Sequence, residues 1–293
     1  MLAPLPTPGG SAAAKPPPQA GLTLRALGYR RVMPLLDDEV TDPVATSAAL
    51  GKHVATERLR CCGTATADDT VLSSTILSMS LMNGSACATA FAAALGGPAK
   101  RGLDWMTCSY ECAGWGHVLR RSLAKAAHGG PRSLLLQIVD IDIHSYSYWR
   151  ANPMWGSSGF GICTLLLDID AGGSPALCNK AAPPASAMVQ MGRALRAFCA
   201  ERPGVPLALP FFPAASRRVL LAGVGKAPLL PDGHARFGHS FGSDPWVSLL
   251  LAQRSGEPME PRVIVNSLAL NGYYSIAEIA LARDARFSLE ANV

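Results

Sequence analysis

The sequence has few charged residues, little aromatic content and no long apolar run. Asp, Glu, Lys and Arg together account for 16% of the 293 residues, and the net charge is +5. The basic residues are scattered, without the stripes and interleaved aromatics that are typical of nucleic-acid binding, so we expect no nucleic-acid partner. No segment approaches the roughly 18 consecutive apolar residues of a membrane helix, and no charged region precedes an apolar core near the start. We therefore expect neither a membrane span nor a signal peptide.

The sequence pattern also lacks a disulfide framework and a metal site. The eight cysteines include no Cys-x-x-Cys pair, which in a chain of this size favours reduced thiols and a cytoplasmic protein. Asp140, Asp142 and His144 alternate as metal ligands do, but no fourth ligand accompanies them. The glycine-rich residues 156–161 lack the Lys-Ser/Thr of a phosphate-binding loop, so we interpret them as a site of close packing. We expect neither a metal nor a bound cofactor.

The order of apolar segments predicts an α/β protein. Residues 1–20 form a Pro/Ala-rich, low-complexity tail that we predict to be disordered. Beyond it, strand-like and helix-like segments alternate, which is typical of a mostly parallel or mixed sheet layered with helices. With 49% hydrophobic residues, the chain can bury a large core in one or two domains. A Gly/Pro/Ala-rich stretch at 170–184 is the predicted boundary between two parts.

Cys112 stands at a predicted junction between a strand and a helix. Residues 103–109 are typical of a short buried strand, and residues 113–128 carry apolar side chains at helical spacing. A sulfur at the positive end of a helix has its thiol pKa lowered below the free value of about 8.5. Gly114, two residues further on, lets a substrate chain come close. We therefore expect Cys112 to be a nucleophile that is alkylated before the other cysteines.

The segment around Cys112 resembles the nucleophile region of the thiolase-like condensing enzymes. The resemblance rests on Cys112-Ala113-Gly114, the aromatic residue after it, a helix, and the apolar strand at 133–140. Similar motifs follow the same order at 70–77, 84–96, 155–167 and 237–242. The nearest branch is ketoacyl-acyl-carrier-protein synthase III, and the resemblance covers residues 70–282. It implies a thiolase-like fold of two pseudo-symmetric halves, placed at 21–170 and 171–293, with the active site where they meet.

The chain departs from synthase III in two respects. Between an early Arg-rich turn, here residues 55–60, and the strand at Thr70, the family has a long helix that we predict to be missing. A phenylalanine, Phe211 or Phe212, stands where synthase III has the first histidine of a His-Gln-Ala-Asn motif. In the second catalytic loop, Gly238-His239-Ser240 replaces Gly-Asn-Thr and resembles the Gly-His motif of thiolases and other ketosynthases.

These motifs imply a set of active-site residues. Cys112 would carry the acyl group as a thioester, and His239 would act as the base. Backbone N–H groups in the loop of Asn271 and Gly272 would join that of Cys112 as oxyanion donors. We expect the substrate pocket to be lined by Phe211, Phe212, Trp155 and Phe160.

Asp244 lies five residues after His239 and directly before Pro245. This position favours a helix N-cap, with orientation of His239 as the alternative. His117 is expected to pack beneath the helix that follows Cys112. We interpret His144 as structural. The aromatic-rich residues 146–155, which include Trp149 and Trp155, are expected to line either an acyl pocket or a subunit interface, and the resemblance places the family's dimer contact there.

Two functions remain open at this stage. The first is a ketosynthase-III-like acyltransferase or condensing enzyme of secondary metabolism, polyketide or fatty-acid type, supplied by an acyl carrier protein or coenzyme A. The second is a catalytically reduced auxiliary subunit of a heterodimeric ketosynthase, which the missing helix and the missing histidine favour. Because that histidine would help to stabilise a malonyl enolate, we predict slow malonyl decarboxylation and persistent acyl transfer. Either function predicts a homodimer or a heterodimer with a second thiolase-fold subunit.

Overall fold

The computed structural model describes residues 21–32, 42–96, 102–143, 147–170, 176–256 and 258–290. Its strands are β1 (Leu22–Arg31), β2 (Asp69–Ser73), β3 (Trp105–Thr107), β4 (Ser133–Asp140), β5 (Ala151–Asn152), β6 (Gly156–Ser157), β7 (Gly161–Ile169), β8 (Leu177–Ala181), β9 (Leu207–Ala208), β10 (Arg262–Leu268) and β11 (Tyr273–Glu290). Its helices are α1 (Pro43–Cys62), α2 (Leu77–Met82), α3 (Ala88–Gly96), α4 (Gly114–Ala127), α5 (Ser147–Arg150), α6 (Pro184–Ala200), α7 (Ala214–Val224), α8 (His234–Phe237) and α9 (Asp244–Arg254).

A mixed sheet repeats one strand pattern twice. In the first half the order is β3-β2-β4-β7-β1, with β7 antiparallel to both of its neighbours and β2 parallel to β3 and β4. In the second half β9, β10, β11 and β8 take the places of β2, β4, β7 and β1, and β11 is antiparallel to β10 and β8. The C-terminal part of β11 also pairs with β1 and joins the halves into one sheet. The predicted α/β architecture of two pseudo-symmetric halves is confirmed.

The helix that we predicted to be missing is present. α1 ends shortly before β2, and residues 55–60, which we interpreted as a turn, form its last turns. Asp42 caps it by accepting hydrogen bonds from the N–H groups of Val44 and Ala45. This helix is not recognisable from the sequence pattern, because its buried face mixes polar and small residues with apolar ones. The mixture weakens the apolar periodicity that predicts a helix. The buried residues are Thr46, Ser47, Leu50, Gly51, Val54, Glu57, Cys61 and Cys62.

Other predicted segments differ in length or lie outside the described ranges. The strand predicted at 103–109 is reduced to the three residues of β3, which are half-buried and not fully buried. The proposed tail at 1–20, residues 171–175 of the proposed boundary, and His144 with its two following residues fall outside the described residues. Within the described ranges, no helix combines the length and apolarity that crossing a bilayer requires.

Helix α4 anchors the first half of the molecule to the second. Trp115, near its start, is fully buried, and its indole N–H donates a 2.8 Å hydrogen bond to the Ser267 hydroxyl in β10. The Trp115 ring meets the Trp246 ring of α9 edge to face at 5.4 Å. A Cβ atom at Gly116 would overlap the side chain of Ser275 in β11, so only glycine permits this close approach. The start of α4 is therefore fixed by contacts to the other half.

Replacing Trp115 by alanine should lower the free energy of unfolding by about 3–5 kcal/mol, because the change leaves a large cavity between the halves. Chemical denaturation measures this value. Val219→Ala is the control, since Val219 is 50% exposed on α7 and its truncation should change stability by no more than about 0.5 kcal/mol. Equal effects of the two substitutions would contradict the anchoring role of α4.

Candidate active site

Cys112 lies on a strained turn that leads into α4. The turn is a short 3-10 helix, Glu111–Ala113, and Glu111 has a φ of 45°. This left-handed conformation costs a non-glycine residue roughly 1–2 kcal/mol, so the surrounding contacts must hold it in place. Cys112 is only 5% exposed, and the Thr75 hydroxyl is 3.9 Å from its sulfur. The predicted position of Cys112, at the start of a helix, is correct.

His239 lies beside Cys112, on a loop of the other half. Its Nε2 atom is 3.7 Å from the Cys112 Sγ. Its Nδ1 atom is 2.6 Å from Asp244 Oδ2 and 3.2 Å from the Phe211 carbonyl oxygen. Since a carbonyl oxygen only accepts hydrogen bonds, the Nδ1 atom carries the proton in the neutral ring, and Nε2 is left as an acceptor facing the thiol. The structure thus forms a Cys112–His239–Asp244 line.

The glycine-rich residues 156–161 fix the backbone of His239, as their interpretation as a packing site implies. The His239 N–H donates to the Ser157 carbonyl, and the Gly159 N–H donates to the His239 carbonyl, both at 2.8 Å. A Cβ atom at Gly159 would overlap the Phe237 carbonyl oxygen. These backbone hydrogen bonds fix the position of His239 independently of the contacts that its side chain makes.

Asp244 orients His239 and does not cap its helix, so the N-cap interpretation was wrong. The N-cap position of α9 is Ser243, and Asp244 is the first residue of the helix. The Asp244 carboxylate accepts hydrogen bonds from the N–H groups of Ser240 at 2.5 Å and Phe211 at 2.9 Å, in addition to its contact with His239. Burial raises the pKa of Asp244, while His239 and the two N–H donors oppose that rise.

Burial and nearby carboxylates raise the pKa of the Cys112 thiol well above its ordinary value, so the expected lowered pKa was wrong. After burial, the causes are the negative charges of Asp140, Glu111 and Asp244. These three residues come from separate segments of the chain. At rest, Cys112 is therefore a neutral thiol, and it needs a base to become a nucleophile.

Asp140, at the end of β4, is a fully buried carboxylate close to the nucleophile. It accepts hydrogen bonds from the Thr75 N–H at 2.6 Å, the Ser74 hydroxyl at 3.3 Å and the Ile76 N–H at 3.4 Å. Burial raises the pKa of Asp140 to about 6, and these donors oppose the rise. Among the described residues, no group of three or more His, Cys, Asp or Glu side chains is placed to hold a metal ion.

A small, mostly apolar cavity surrounds Cys112 and His239. Its volume is about 30 Å³, which is small for an acyl chain. The described residues that line it are Thr75, Glu111, Cys112, Trp149, Met154, Trp155, Met188, Phe212, His239, Phe241, Leu268, Ala269 and Leu270. An acyl chain therefore enters only after some of these side chains move.

Two of the four expected pocket residues line the cavity. Trp155 and Phe212 do so, and the Phe212 ring stacks on the His239 imidazole at 5.6 Å. Phe211 instead lies in the core, and only its main chain serves the site. Phe160 stacks on Phe241 at 6.1 Å and does not line the cavity. Trp149, from the aromatic-rich segment for which an acyl pocket was one interpretation, also lines the cavity. The sequence analysis missed Glu111 and Phe241, because nothing in their local pattern shows which side of a loop they occupy.

The loop of Asn271 and Gly272 does not supply the expected oxyanion donors. The Gly272 N–H donates to the Ala269 carbonyl at 3.0 Å, and the Asn271 N–H is 3.4 Å from Glu111 Oε2. Neither residue lines the cavity. His117 also lies away from the cavity and stacks on Tyr110 at 3.6 Å. The contribution of the Cys112 N–H to an oxyanion site stays a prediction.

Comparison with solved structures finds the same fold in proteins of low sequence identity. The 3-oxoacyl-(acyl carrier protein) synthase III of Pseudomonas aeruginosa matches with a TM-score of 0.61 and 15% identity, over 90% of this chain and 99% of that chain. ChlB3, described as an acyltransferase, matches with a TM-score of 0.58 and 14% identity, over 90% of this chain and 98% of that chain. The ketosynthase complex AntDE:AntF, which holds its acyl carrier protein, matches with a TM-score of 0.57 and 8% identity, over 88% and 98%.

These likenesses show the fold. The chain has the thiolase-like fold of the synthase III structures, which confirms the predicted fold class. At the level of sequence, no protein-family model and no curated protein matches the chain.

Iodoacetamide at neutral pH should label Cys87 before Cys112. Cys87 is partly exposed, and a hydrogen bond with Thr89 lowers the pKa of its thiol, whereas Cys112 is buried with a raised pKa. Peptide mapping of the alkylated protein checks the order. Labelling of Cys112 ahead of Cys87 would show that the pKa of the Cys112 thiol is lowered, which contradicts the structure.

Replacing Asp140 by asparagine should speed alkylation of Cys112 above pH 6 by about tenfold, because one negative charge that raises the thiol pKa is removed. Below pH 6 the wild-type carboxyl is protonated, so the two proteins should converge. The rate is followed against pH in a Cys87→Ser background. A slower reaction of Asp140→Asn at every pH would show that Asp140 acts on Cys112 in another way.

Proposed function

We propose that this protein is an acyltransferase that carries its acyl group as a thioester on Cys112, with His239 as general base and Asp244 as the residue that orients it. One observation carries the proposal: His239 contacts the Cys112 sulfur through Nε2 at 3.7 Å and the Asp244 carboxylate through Nδ1 at 2.6 Å. A nucleophile, a base and an orienting carboxylate are the parts that acyl transfer through a covalent intermediate needs.

In the first half-reaction the donor thioester acylates Cys112. His239 Nε2 takes the thiol proton as Sγ attacks the thioester carbonyl carbon, and the imidazolium is stabilised by Asp244. The tetrahedral intermediate then collapses, the donor carbon–sulfur bond breaks, and the leaving thiol takes the proton from His239. In the second half-reaction, His239 Nε2 takes a proton from the acceptor as it attacks the thioester carbon. His239 then returns that proton to the Cys112 sulfur as the carbon–sulfur bond breaks.

Phe212 argues for simple transfer over decarboxylative condensation. It lines the cavity with its ring stacked on the His239 imidazole, and it is one of the two phenylalanines that the resemblance to synthase III aligns with the family's first histidine. A malonyl enolate formed there would lack one charge-assisted donor, and loss of such a donor costs roughly 10²–10³ in rate. The donor we propose is an acyl carrier protein or coenzyme A thioester; among the similar solved structures, the synthase III is named for an acyl carrier protein and the AntDE:AntF complex contains one.

An auxiliary, catalytically reduced subunit is less well supported. That alternative depended on a missing helix and a missing histidine, and α1 supplies the helix. A subunit without catalysis would not need a buried carboxylate in contact with His239 beside Cys112.

We also propose a dimer, because Tyr148 and Met154, 52% and 50% exposed, leave two apolar side chains uncovered on the segment beside the cavity.

Incubation with a panel of acyl thioesters should add one acyl group to Cys112, detected by mass spectrometry of the intact protein and its peptides.

Asp244→Asn should lower the turnover number by roughly 10²–10⁴, since the imidazole loses its orientation and its counter-charge. His239→Ala should load slowly and not turn over.

Asp284→Asn is the matched control for Asp244→Asn, because Asp284 is exposed on β11, and its activity should equal that of the wild type. Acylation on another residue, or full turnover by Asp244→Asn, would refute the proposed mechanism. Release of carbon dioxide from a malonyl thioester at the rate of product formation would show a condensing enzyme.

A further inference from the structure

We infer that the acyl acceptor is an amine that enters as an ammonium ion and pairs with the Glu111 carboxylate at the Cys112 cavity, whereas carboxylate-bearing acceptors and donors are rejected. The inference rests on the proposed acyl transfer and names the class of substrate that the same site selects. It comes from a single juxtaposition: an incompletely hydrogen-bonded carboxylate next to the nucleophile, in a cavity whose described lining contains no lysine or arginine.

Glu111 is held in place by one oxygen and offers the other. Its Oε2 atom accepts hydrogen bonds from the N–H groups of Leu270 at 2.8 Å and Asn271 at 3.4 Å. Within the described part of the chain, Oε1 makes no hydrogen bond, and the residue is partly exposed. The strained turn and the two N–H groups fix the carboxylate, so that Oε1 is a preorganised acceptor for a ligand cation.

The charges around the nucleophile all have one sign. Glu111, Asp140 and Asp244 each act on Cys112 with negative charge, and the described lining residues include no lysine or arginine to offset them. In a mostly apolar cavity, such a field attracts an ammonium ion and repels a malonyl carboxylate more strongly than it would in solvent.

Aromatic faces complete a site for a cation. Trp149, Trp155, Phe212 and Phe241 line the same cavity as Glu111. Aromatic rings attract cations through the negative potential of their faces, and the attraction grows when the cation is desolvated. A hydroxyl acceptor of the same length would gain neither the ring attraction nor the ionic contact.

The transfer step balances without a further reactant. The bound ammonium ion first releases one proton to water, and the neutral amine attacks the thioester carbon on Cys112. His239 Nε2 takes the second proton as the carbon–nitrogen bond forms. The carbon–sulfur bond then breaks, and His239 returns that proton to Cys112. The sum is thioester plus ammonium ion giving amide, free thiol and one proton.

The test compares hexylamine with hexanol as acceptors for octanoyl-coenzyme A, and uses the ratio of kcat/KM for the two acceptors as its readout. In Glu111→Gln the glutamine oxygen still accepts from the Leu270 N–H, but the charge is gone. This ratio should fall roughly tenfold or more in Glu111→Gln, through a higher KM for hexylamine, as loss of a hydrogen bond to a charged group implies. Because the readout is a ratio within one protein, a smaller folded fraction does not alter it.

Glu201→Gln is the matched control, because Glu201 is 74% exposed at the end of α6, and its ratio should equal the wild-type ratio. Hexanesulfonate, the matched anion, should not inhibit the wild type at concentrations where hexylamine saturates. An unchanged ratio in Glu111→Gln, or inhibition by the sulfonate, overturns the amine inference while acylation of Cys112 still upholds the proposed function. Absence of Cys112 acylation overturns both.

Discussion

The buried Asp244 carboxylate is the constraint on which the rest of the site depends. A carboxylate removed from water without partners would be destabilised by several kcal/mol, so the chain must surround it with donors. Its donors are the Phe211 N–H, the Ser240 N–H and the His239 ring, from two separate segments of the second half. Satisfying one carboxylate thus fixes the loop before α7, the loop before α9 and the tautomer of the imidazole together. The position of His239, the proposed base, is a consequence of that requirement.

The pseudo-symmetry of the fold explains why a cysteine of one half meets a histidine loop of the other. In each half a 3-10 turn precedes the helix that leads to the central parallel strand: Glu111–Ala113 before α4 and Phe241–Ser243 before α9. Each turn starts with a non-glycine residue in the left-handed region, Glu111 at 45° and Phe241 at 53°. The turns contact each other, and a Cβ atom at Gly242 would lie 3.3 Å from the Cys112 carbonyl oxygen. Strain is therefore stored at equivalent positions, where the two halves bring the reacting groups together.

Local patterns predicted much of the fold, while long-range contacts decided the chemistry of the site. The limits of β4 follow from a continuous apolar run, and α4 follows from clear helical spacing. α1 was missed because its buried face is partly polar. The partnership of Asp244 with His239 was underrated, because only the left-handed Phe241 turns the chain so that the carboxylate points back at the ring. The shift of the Cys112 pKa was predicted with the wrong sign, since its largest cause is burial, and two of the three carboxylates that add to it, Asp140 and Asp244, come from distant segments that the sequence does not show to be neighbours.

The negative surroundings of Cys112 fit a nucleophile that is activated only when its substrate arrives. Three carboxylates and burial disfavour a free thiolate, and the Asp244 carboxylate lies 2.6 Å from His239 Nδ1, in position to pair with the imidazolium that proton transfer would form. Proton transfer from sulfur to imidazole creates a neutral pair, whereas loss of the proton to solvent would leave a buried anion among carboxylates. Thiolate therefore forms only together with the imidazolium, within reach of a carbonyl carbon that can accept its electrons. Beside a cavity of only about 30 Å³, the sulfur of the proposed nucleophile stays a thiol until the lining side chains move to admit the proposed acyl donor.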